Sequence, residues 1–372
     1  MEMENLSEEF LLLWKKGTPE QEREDDNRER EEEQKKIRAL WKPSEMNVHT
    51  EIMLLIMHKK MAELEKLYAK KLARKKAGEK GCRRTTTVRA MIYTNKHVPQ
   101  YVYDGRSNSL QTYYIKIEVG TRPADIQWPL QVFGVVAVRD SIDSMRNIIF
   151  YRDRDDCQTL TEEDPCLALT GPSRAVGMNE PVTIEAELKV KGAVKSKDRY
   201  FILEAKAVPL DWGSRDVEFT GTRGSRLKIA LGELHNCVEA IIFLRVIGGT
   251  WPAGLQGHFA ASTAESPNKK VLLIAFGGDD GESIRGDGNM THLRHVVSVE
   301  DSGELIVSVR AWRDGQAVVD QEEVQFKAKL SGRSFGSLNV CSCHVGVLVA
   351  WSRIRPMCDD LVPDVSRRLC HS

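Results

Sequence analysis

The chain has 372 residues, with 54 basic and 54 acidic side chains and 41% hydrophobic residues. This balance of charge excludes a uniformly basic nucleic-acid binder and a strongly acidic disordered chain. The hydrophobic fraction predicts at least one core, and no apolar run reaches the ~18 residues that a membrane-spanning helix needs. The length allows one large domain or two.

The first 84 residues are predicted to differ in kind from the rest. Residues 1–49 read as a charged, partly disordered segment, because residues 20–33 contain no large apolar side chain. Residues 50–84 read as an amphipathic basic helix: Thr50 can cap it, and Gly78 follows its last turn. Its apolar stripe recurs at spacings of three and four and consists of Met57, Met61, Leu64, Tyr68 and Leu72.

The opposite face of this predicted helix is strongly basic, since residues 59–89 hold 12 Lys and Arg against 3 Glu. Its candidate anion-binding residues are Lys70, Lys71, Arg74, Lys75 and Lys76. Three interpretations stay open: a solvated face whose apolar stripe packs on the sheet or self-associates, a nuclear import signal, or binding to an acidic partner. Tyr68 is the one aromatic residue here, which argues against base stacking and so against nucleic acid.

From about residue 85 the hydrophobic period becomes two, which predicts an all-β domain over residues 85–355. Residues 182–190 alternate between apolar and polar, whereas residues 130–138 are apolar on both faces and predict a central strand. Further strands are predicted at residues 238–247, 271–276, 305–312, 324–330 and 340–351. Asp314-Gly315 predicts a hairpin turn. The fold class is therefore mainly β, an antiparallel sandwich or barrel preceded by the charged α-helical segment. One continuous β domain is favoured over two, and residues 356–372 form a flexible tail.

The N-terminus is acidic where a secretory signal is basic, which predicts a cytoplasmic protein, with a nuclear location as the alternative. The eight cysteines are scattered, and Cys341 and Cys343 lack a second pair at zinc-ligand spacing. They are expected to be reduced core thiols. We predict no metal, no cofactor and no catalytic residue. One loop, residues 277–289, carries Asp279, Asp280, Glu282 and Asp287, which leaves calcium binding open.

Closely spaced opposite charges at strand ends form the one candidate ligand site. They are Arg139, Asp140, Arg152, Arg154, Asp155 and Asp156. Such charges either pair with one another and fix a loop, or they line a polar binding site at one end of the sheet.

Residues 110–352 resemble a plant family of unknown function that is expanded in grasses, in which some members carry a ribosome-inactivating N-glycosidase domain ahead of the β domain. The resemblance rests on residues 129–140, on Arg146, Asn147 and Phe150, on residues 152–159, on residues 169–174 and on residues 238–240. It implies a plant origin and an all-β domain, but it supplies no activity. The glycosidase signature, a Glu and an Arg on one helix beside Tyr and Trp, is absent from this sequence.

The leading functional hypothesis is therefore a non-enzymatic β-sandwich interaction module. It would bind an unknown protein partner or self-associate through residues 50–77. A plant defence-associated enzyme or toxin-related protein of the N-glycosidase kind is the first alternative. Binding of an anionic partner or nucleic acid through the basic helix is the second.

Overall fold

The computed structural model describes residues 107–120, 127–142, 145–210, 213, 216–221, 224–276, 288–290, 294–313 and 318–354. These residues form fifteen β-strands and one 3-10 turn at Lys195–Lys197, and they contain no α-helix.

The expected fold class, which joined a helical segment to the β domain, is therefore wrong as a description of this structure. The described chain is mainly antiparallel β, because its apolar side chains alternate with period two. The proposed helix at residues 50–84 lies outside the described residues and receives no support. The segments predicted at residues 1–49 and 356–372 also lie outside them.

The strands follow one another with short connections along most of the described chain. Their bounds are β1 (Ser107–Glu118), β2 (Leu130–Arg139), β3 (Asn147–Arg152), β4 (Gln158–Leu160), β5 (Val182–Val190), β6 (Arg199–Val208), β7 (Asp216–Thr220), β8 (Arg226–Gly248), β9 (Gln256–Thr263), β10 (Val271–Phe276), β11 (Val296–Glu300), β12 (Glu304–Trp312), β13 (Val318–Lys327), β14 (Gly332–Val340) and β15 (Cys343–Arg353).

These strands form three antiparallel sheets. A five-stranded sheet has the order β3-β2-β5-β6, with β4 also paired to β2. A four-stranded sheet has the order β10-β9-β12-β13. A six-stranded sheet has the order β1-β8-β15-β14, with β7 and β11 also paired to β8. Strand β8 has 23 residues, and its first half pairs with β1 and β7 whereas its second half pairs with β15 and β11.

The two largest hydrophobic cores lie on the two halves of β8. The first core joins the five-stranded sheet to β1, β7 and the first half of β8, and includes Phe150, Phe201 and Phe219. The second core joins the four-stranded sheet to β11, β14, β15 and the second half of β8, and includes Phe259 and Trp351. Two sheets facing each other across an apolar layer constitute a β-sandwich. We call the two units the first and second sandwich.

Alternation explains the individual strands. In β5, the inward residues Val182, Ile184, Ala186 and Leu188 are all buried, and the residues between them are half-exposed. Burial of each Val, Ile or Leu side chain stabilises the fold by ~1.5–3 kcal/mol. Strand β2 pairs with β3 and β4 on one side and with β5 on the other, which confirms the central position predicted from its two apolar faces.

Candidate functional site

The six residues of the predicted ligand site lie at two ends of the five-stranded sheet. Arg139 ends β2, and Asp140 follows it directly. Arg152 ends β3 and lies opposite Gly134, which is five residues before Arg139 on β2. The turn that follows Arg152 holds Arg154, Asp155 and Asp156. At ~3.4 Å per residue, five residues of strand span roughly 17 Å. The structure therefore places these residues in two separate groups.

Arg139 belongs to an ion-paired triad on the face of the sheet that points away from the first core. Glu185 of β5 accepts a hydrogen bond from Arg139 Nε at 2.8 Å and one from Arg146 Nε at 2.7 Å. Burial of the Glu185 carboxylate acts to raise its pKa, but the charges and hydrogen bonds of Arg146 and Arg139 outweigh this and the pKa lies below its usual value. This carboxylate is therefore ionised and held by two cations.

Asp140 forms a separate pair with Arg174, and both side chains are almost completely buried, with 0% and 1% exposure. Arg174 donates from Nη1 to Asp140 Oδ2 at 2.6 Å and from Nη2 to Oδ1 at 2.7 Å. The same carboxylate accepts hydrogen bonds from the backbone N–H groups of Ile142 and Gly177. Asp140 thereby joins the loop after β2 to the segment that precedes β5.

The second group of the predicted site, residues 152–156, holds the turn after β3 against the β5–β6 connection. Arg152 pairs with Asp156 at 2.8 Å, with 28% and 75% of the side chains exposed. Arg154 donates from Nε to both carboxylate oxygens of Asp198 and from Nη2 to the Gly192 carbonyl. Asp155 is 96% exposed and lies 3.9 Å from Arg154. Arg154 therefore fixes the connection, and Asp155 points into water.

The residues around Arg174 continue as a buried polar seam between the two sandwiches. Asn147 donates to the Arg174 carbonyl and accepts from the Ser173 N–H. Glu239 of β8, which is fully buried, accepts a hydrogen bond from the Ala175 N–H at 2.6 Å. We use the term polar seam for Asp140, Asn147, Arg174, Glu239 and Arg294.

Arg294 closes this polar seam from the side of the second sandwich. It is 2% exposed, and its guanidinium donates to three backbone carbonyls, those of Gly171 (2.8 Å), Tyr113 (3.1 Å) and Thr112 (2.6 Å). Burial lowers its pKa to about 10. Burial and the charge of Arg294 together lower the pKa of the adjacent His295 to about 4, so this imidazole is neutral at pH 7. Nothing in the spacing of residues along the chain indicates this role for Arg294.

The described cysteines and the other described residues of metal-ligand types are candidates for reactive chemistry. Burial raises the pKa of Cys343 to about 11 and also raises the pKa values of Cys166, Cys237 and Cys341, so these sulfurs are thiols at neutral pH. Within the described part of the chain, no three His, Cys, Asp or Glu side chains are grouped as a metal site. The loop at residues 277–287 lies outside that part. So do Lys70, Lys71, Arg74, Lys75 and Lys76.

Over its described residues, the structure thus defines an antiparallel all-β fold with a polar seam between two sandwiches, in which Asp140 pairs with Arg174 while Glu239 and Arg294 bind backbone groups. Residues 109–349 match the family described as domain of unknown function DUF6598. Because the match covers more than half of the chain, the protein belongs to this family. No curated protein matches the sequence. Among the described residues, no helix has the length and apolar character needed to cross a membrane.

Two solved structures illustrate what the chain resembles in three dimensions. One contains the two C2 domains of extended synaptotagmin 2 with calcium bound; the identity is 11%, the TM-score is 0.24, and the match covers 68% of this chain and 98% of that one. The other is human GIVD cytosolic phospholipase A2, with 8% identity, a TM-score of 0.22 and coverage of 67% of this chain. The match spans only 30% of the phospholipase chain.

Proposed function

We propose that this protein is a non-enzymatic interaction module whose two sandwiches form a scaffold for binding a partner. The observation that carries the proposal is the pairing of the charged residues at the strand ends. Arg139 binds Glu185, Asp140 binds Arg174, Arg152 binds Asp156, and Arg154 binds Asp198. A carboxylate that is to act as an acid or base must reach a substrate, and Asp140 is enclosed on every side by its protein partners.

The family resemblance adds an origin to this proposal, and the free cysteines add a location. We propose that the protein is a plant protein of the cytoplasm, with the nucleus as the alternative location. The described cysteines, Cys157, Cys166, Cys237, Cys341 and Cys343, form no disulfide, and free thiols suit a reducing compartment.

An assay for adenine release from purified ribosomes separates the interaction module from an N-glycosidase-like enzyme. We expect the full chain to release no more adenine than buffer does, whereas a ribosome-inactivating N-glycosidase added in parallel releases it readily. Release that disappears in an Asp155→Asn variant with wild-type thermal stability would overturn the proposal, because Asp155 is the exposed carboxylate of the group and its substitution should leave the fold intact. A second experiment measures binding by calorimetry. An interaction module should bind a purified partner protein with a fixed stoichiometry.

A further inference from the structure

The face of the four-stranded sheet that points away from the second core carries an unusual combination of side chains. Arg310, Lys270 and Leu272 are exposed there, and His258 and Trp312 are half-buried. We call these five residues the outer patch. Their placement follows from the pairing register, because Arg310 lies opposite His258 and Trp312 lies opposite Gln256, while the alternate residues Phe259 and Val309 point into the core.

The aromatic part of the outer patch is held in place. The Trp312 indole N–H donates to Gln256 Oε1 at 2.9 Å, which fixes the ring at the end of β12. The His258 ring meets it in an edge-on arrangement, with 5.5 Å between centroids and 62° between planes. A fixed ring costs little conformational entropy on binding, which is why Trp and Arg are enriched among the residues that dominate binding energies.

Two small residues lie beside these rings on the same face of the sheet. Ala260 and Ser308 are neighbours in the register, and both point outward, yet they are only 2% and 9% exposed. Small side chains become inaccessible on an outer face when larger ones stand around them, and here Leu272 and Ile306 flank the pair on β10 and β12. The outer patch therefore combines the exposed apolar side chain of Leu272 with a fixed aromatic ring, on either side of two small, inaccessible residues.

The outer patch carries two cations, Arg310 and Lys270, and the exposed Glu323 on the same face of β13 pairs with neither of them. Among the described residues, neither cation forms an ion pair. Burial lowers the pKa of His258, and the charges of Lys270 and Arg310 lower it further, without an opposing carboxylate. The field at the imidazole is therefore that of two cations.

From this combination we infer that the outer patch binds an acidic peptide segment of a partner protein. Carboxylates of the segment would meet Arg310 and Lys270, and apolar side chains of the segment would pack against the Trp312 ring and against Leu272. Charge complementarity selects the acidic partner, because Arg binds carboxylates through charge-assisted hydrogen bonds. A single half-buried indole with an exposed leucine suits a peptide better than a nucleic acid, which would need several stacking rings. This inference rests on the proposed function and names the chemistry of its partner.

A titration of the full chain with two labelled peptides tests the inference. The probes are an octapeptide of alternating Glu and Leu and its counterpart of alternating Lys and Leu, followed by fluorescence anisotropy. We expect saturable binding of the acidic probe only, weakened roughly tenfold by Arg310→Gln or by Trp312→Ala. Lys195→Gln is the matched control, because Lys195 is exposed on the first sandwich and loses the same charge. If Arg310→Gln misfolds, Lys270→Gln at the exposed start of β10 replaces it.

The pKa of His258, measured by NMR, tests whether the probe binds at the outer patch, because a general loss of charge elsewhere would not change it. A carboxylate bound at the outer patch opposes the two cations, so the pKa of His258 should rise when the acidic probe saturates the protein. Equal weakening by Arg310→Gln and Lys195→Gln, or no binding of the acidic probe, would refute the outer patch while leaving an interaction module at another surface intact. Binding of a single-stranded DNA oligonucleotide that Arg310→Gln abolishes, with no binding of the acidic probe, would replace the peptide by nucleic acid and also refute the inference.

Discussion

Asp140 and Arg174 lie almost completely out of water, and the free energy that their burial costs has to be offset by their contacts. Two short hydrogen bonds join them, and two backbone N–H groups complete the environment of the carboxylate. Such a pair contributes little net stability compared with an apolar pair, but removal of one partner leaves a buried charge without compensation. The pair therefore specifies how the loop after β2 meets the segment before β5.

Arg174→Met should lower the free energy of unfolding by ~3–5 kcal/mol, because Asp140 would stay buried without a cation. Arg152→Met is the matched control: its pair with Asp156 is largely exposed, so the loss should stay below ~1 kcal/mol. Urea denaturation followed by circular dichroism measures both. Equal losses in the two variants would show that burial of the Asp140 pair carries no special cost.

His295 predicts a pH dependence of stability. Its pKa is about 4 in the folded chain, because burial and Arg294 oppose its protonation, and it is 6.5 when unfolded. The unfolded state therefore binds more protons between these values, and stability should fall as the pH drops from 6.5 to 4, by up to about 3 kcal/mol. Denaturation of His295→Gln at several pH values in this range is the test, because the variant should lose the pH dependence of stability that His295 contributes. The half-buried His258, whose pKa is also lowered, contributes a pH dependence of the same sign that should remain. An unchanged slope in the variant would rule out His295 as its source.

The charged residues at the strand ends could be predicted from the sequence, but the contacts of Arg294 in the polar seam could not. Arg139, Asp140, Arg152 and Asp156 are close together in sequence, and their charges mark them out. The three carbonyls bound by Arg294 belong to residues 123, 181 and 182 positions away. A hydrogen bond to a backbone carbonyl requires no particular residue type at the acceptor, so no pattern in the sequence could reveal it.

Individual strands were predictable to the extent that their pattern is local. Predicted strands at residues 130–138 and 271–276 coincide with β2 and β10, and β12 and β13, which flank Asp314-Gly315, pair as the predicted hairpin requires. The predicted strand at residues 340–351 is instead divided, because Cys341 adopts a positive φ of 52° and begins the turn between β14 and β15. A turn of two polar or small residues inside an apolar run hardly disturbs the alternation of apolar and polar residues, so the sequence pattern does not reveal it.

Strand β8 contains one position where the backbone departs from extended geometry. Asn236 has a φ of 53° and lies at the point where β8 passes from the first sandwich to the second. Its carbonyl accepts a hydrogen bond from the Asp301 N–H, and its own N–H donates to Asn108 Oδ1, so both backbone groups are used across the junction. The bend allows one strand to serve two cores.

Asn236→Val should therefore destabilise the protein by ~1–2 kcal/mol, because a β-branched residue is strained at positive φ, whereas Asn and Gly tolerate it. Asn236→Gly should be nearly neutral. His235→Val is the control on the adjacent exposed residue and should change stability by less than about 0.5 kcal/mol. Thermal denaturation ranks the three variants, and a cost for His235→Val equal to that for Asn236→Val would remove the backbone explanation.

At the scale of the whole molecule, the two sandwiches share more than a strand. Glu239 binds the Ala175 N–H, the Ser109 and Ser298 hydroxyls lie 2.6 Å apart, and Arg294 binds carbonyls of β1 and of the segment before β5. Each of these contacts joins residues of the first sandwich to residues of the second. We therefore retain as a proposal the single β domain over residues 85–355, although its described residues form two large cores.

A single domain predicts that both sandwiches unfold together. In native-state hydrogen exchange of the full chain under increasing denaturant, the slowest amides of β5 and β12 should report the same free energy of opening, because neither core can open without breaking the shared β8 and the polar seam. Arg294→Met leaves three buried carbonyls without their donor, at ~1–3 kcal/mol each, and in a single domain it should lower both values together. Lys195→Gln, far from the joint, should leave them equal and unchanged. If β5 and β12 already differ in the wild-type chain, the sandwiches are two domains joined by a continuous strand, and the polar seam is an interface between them.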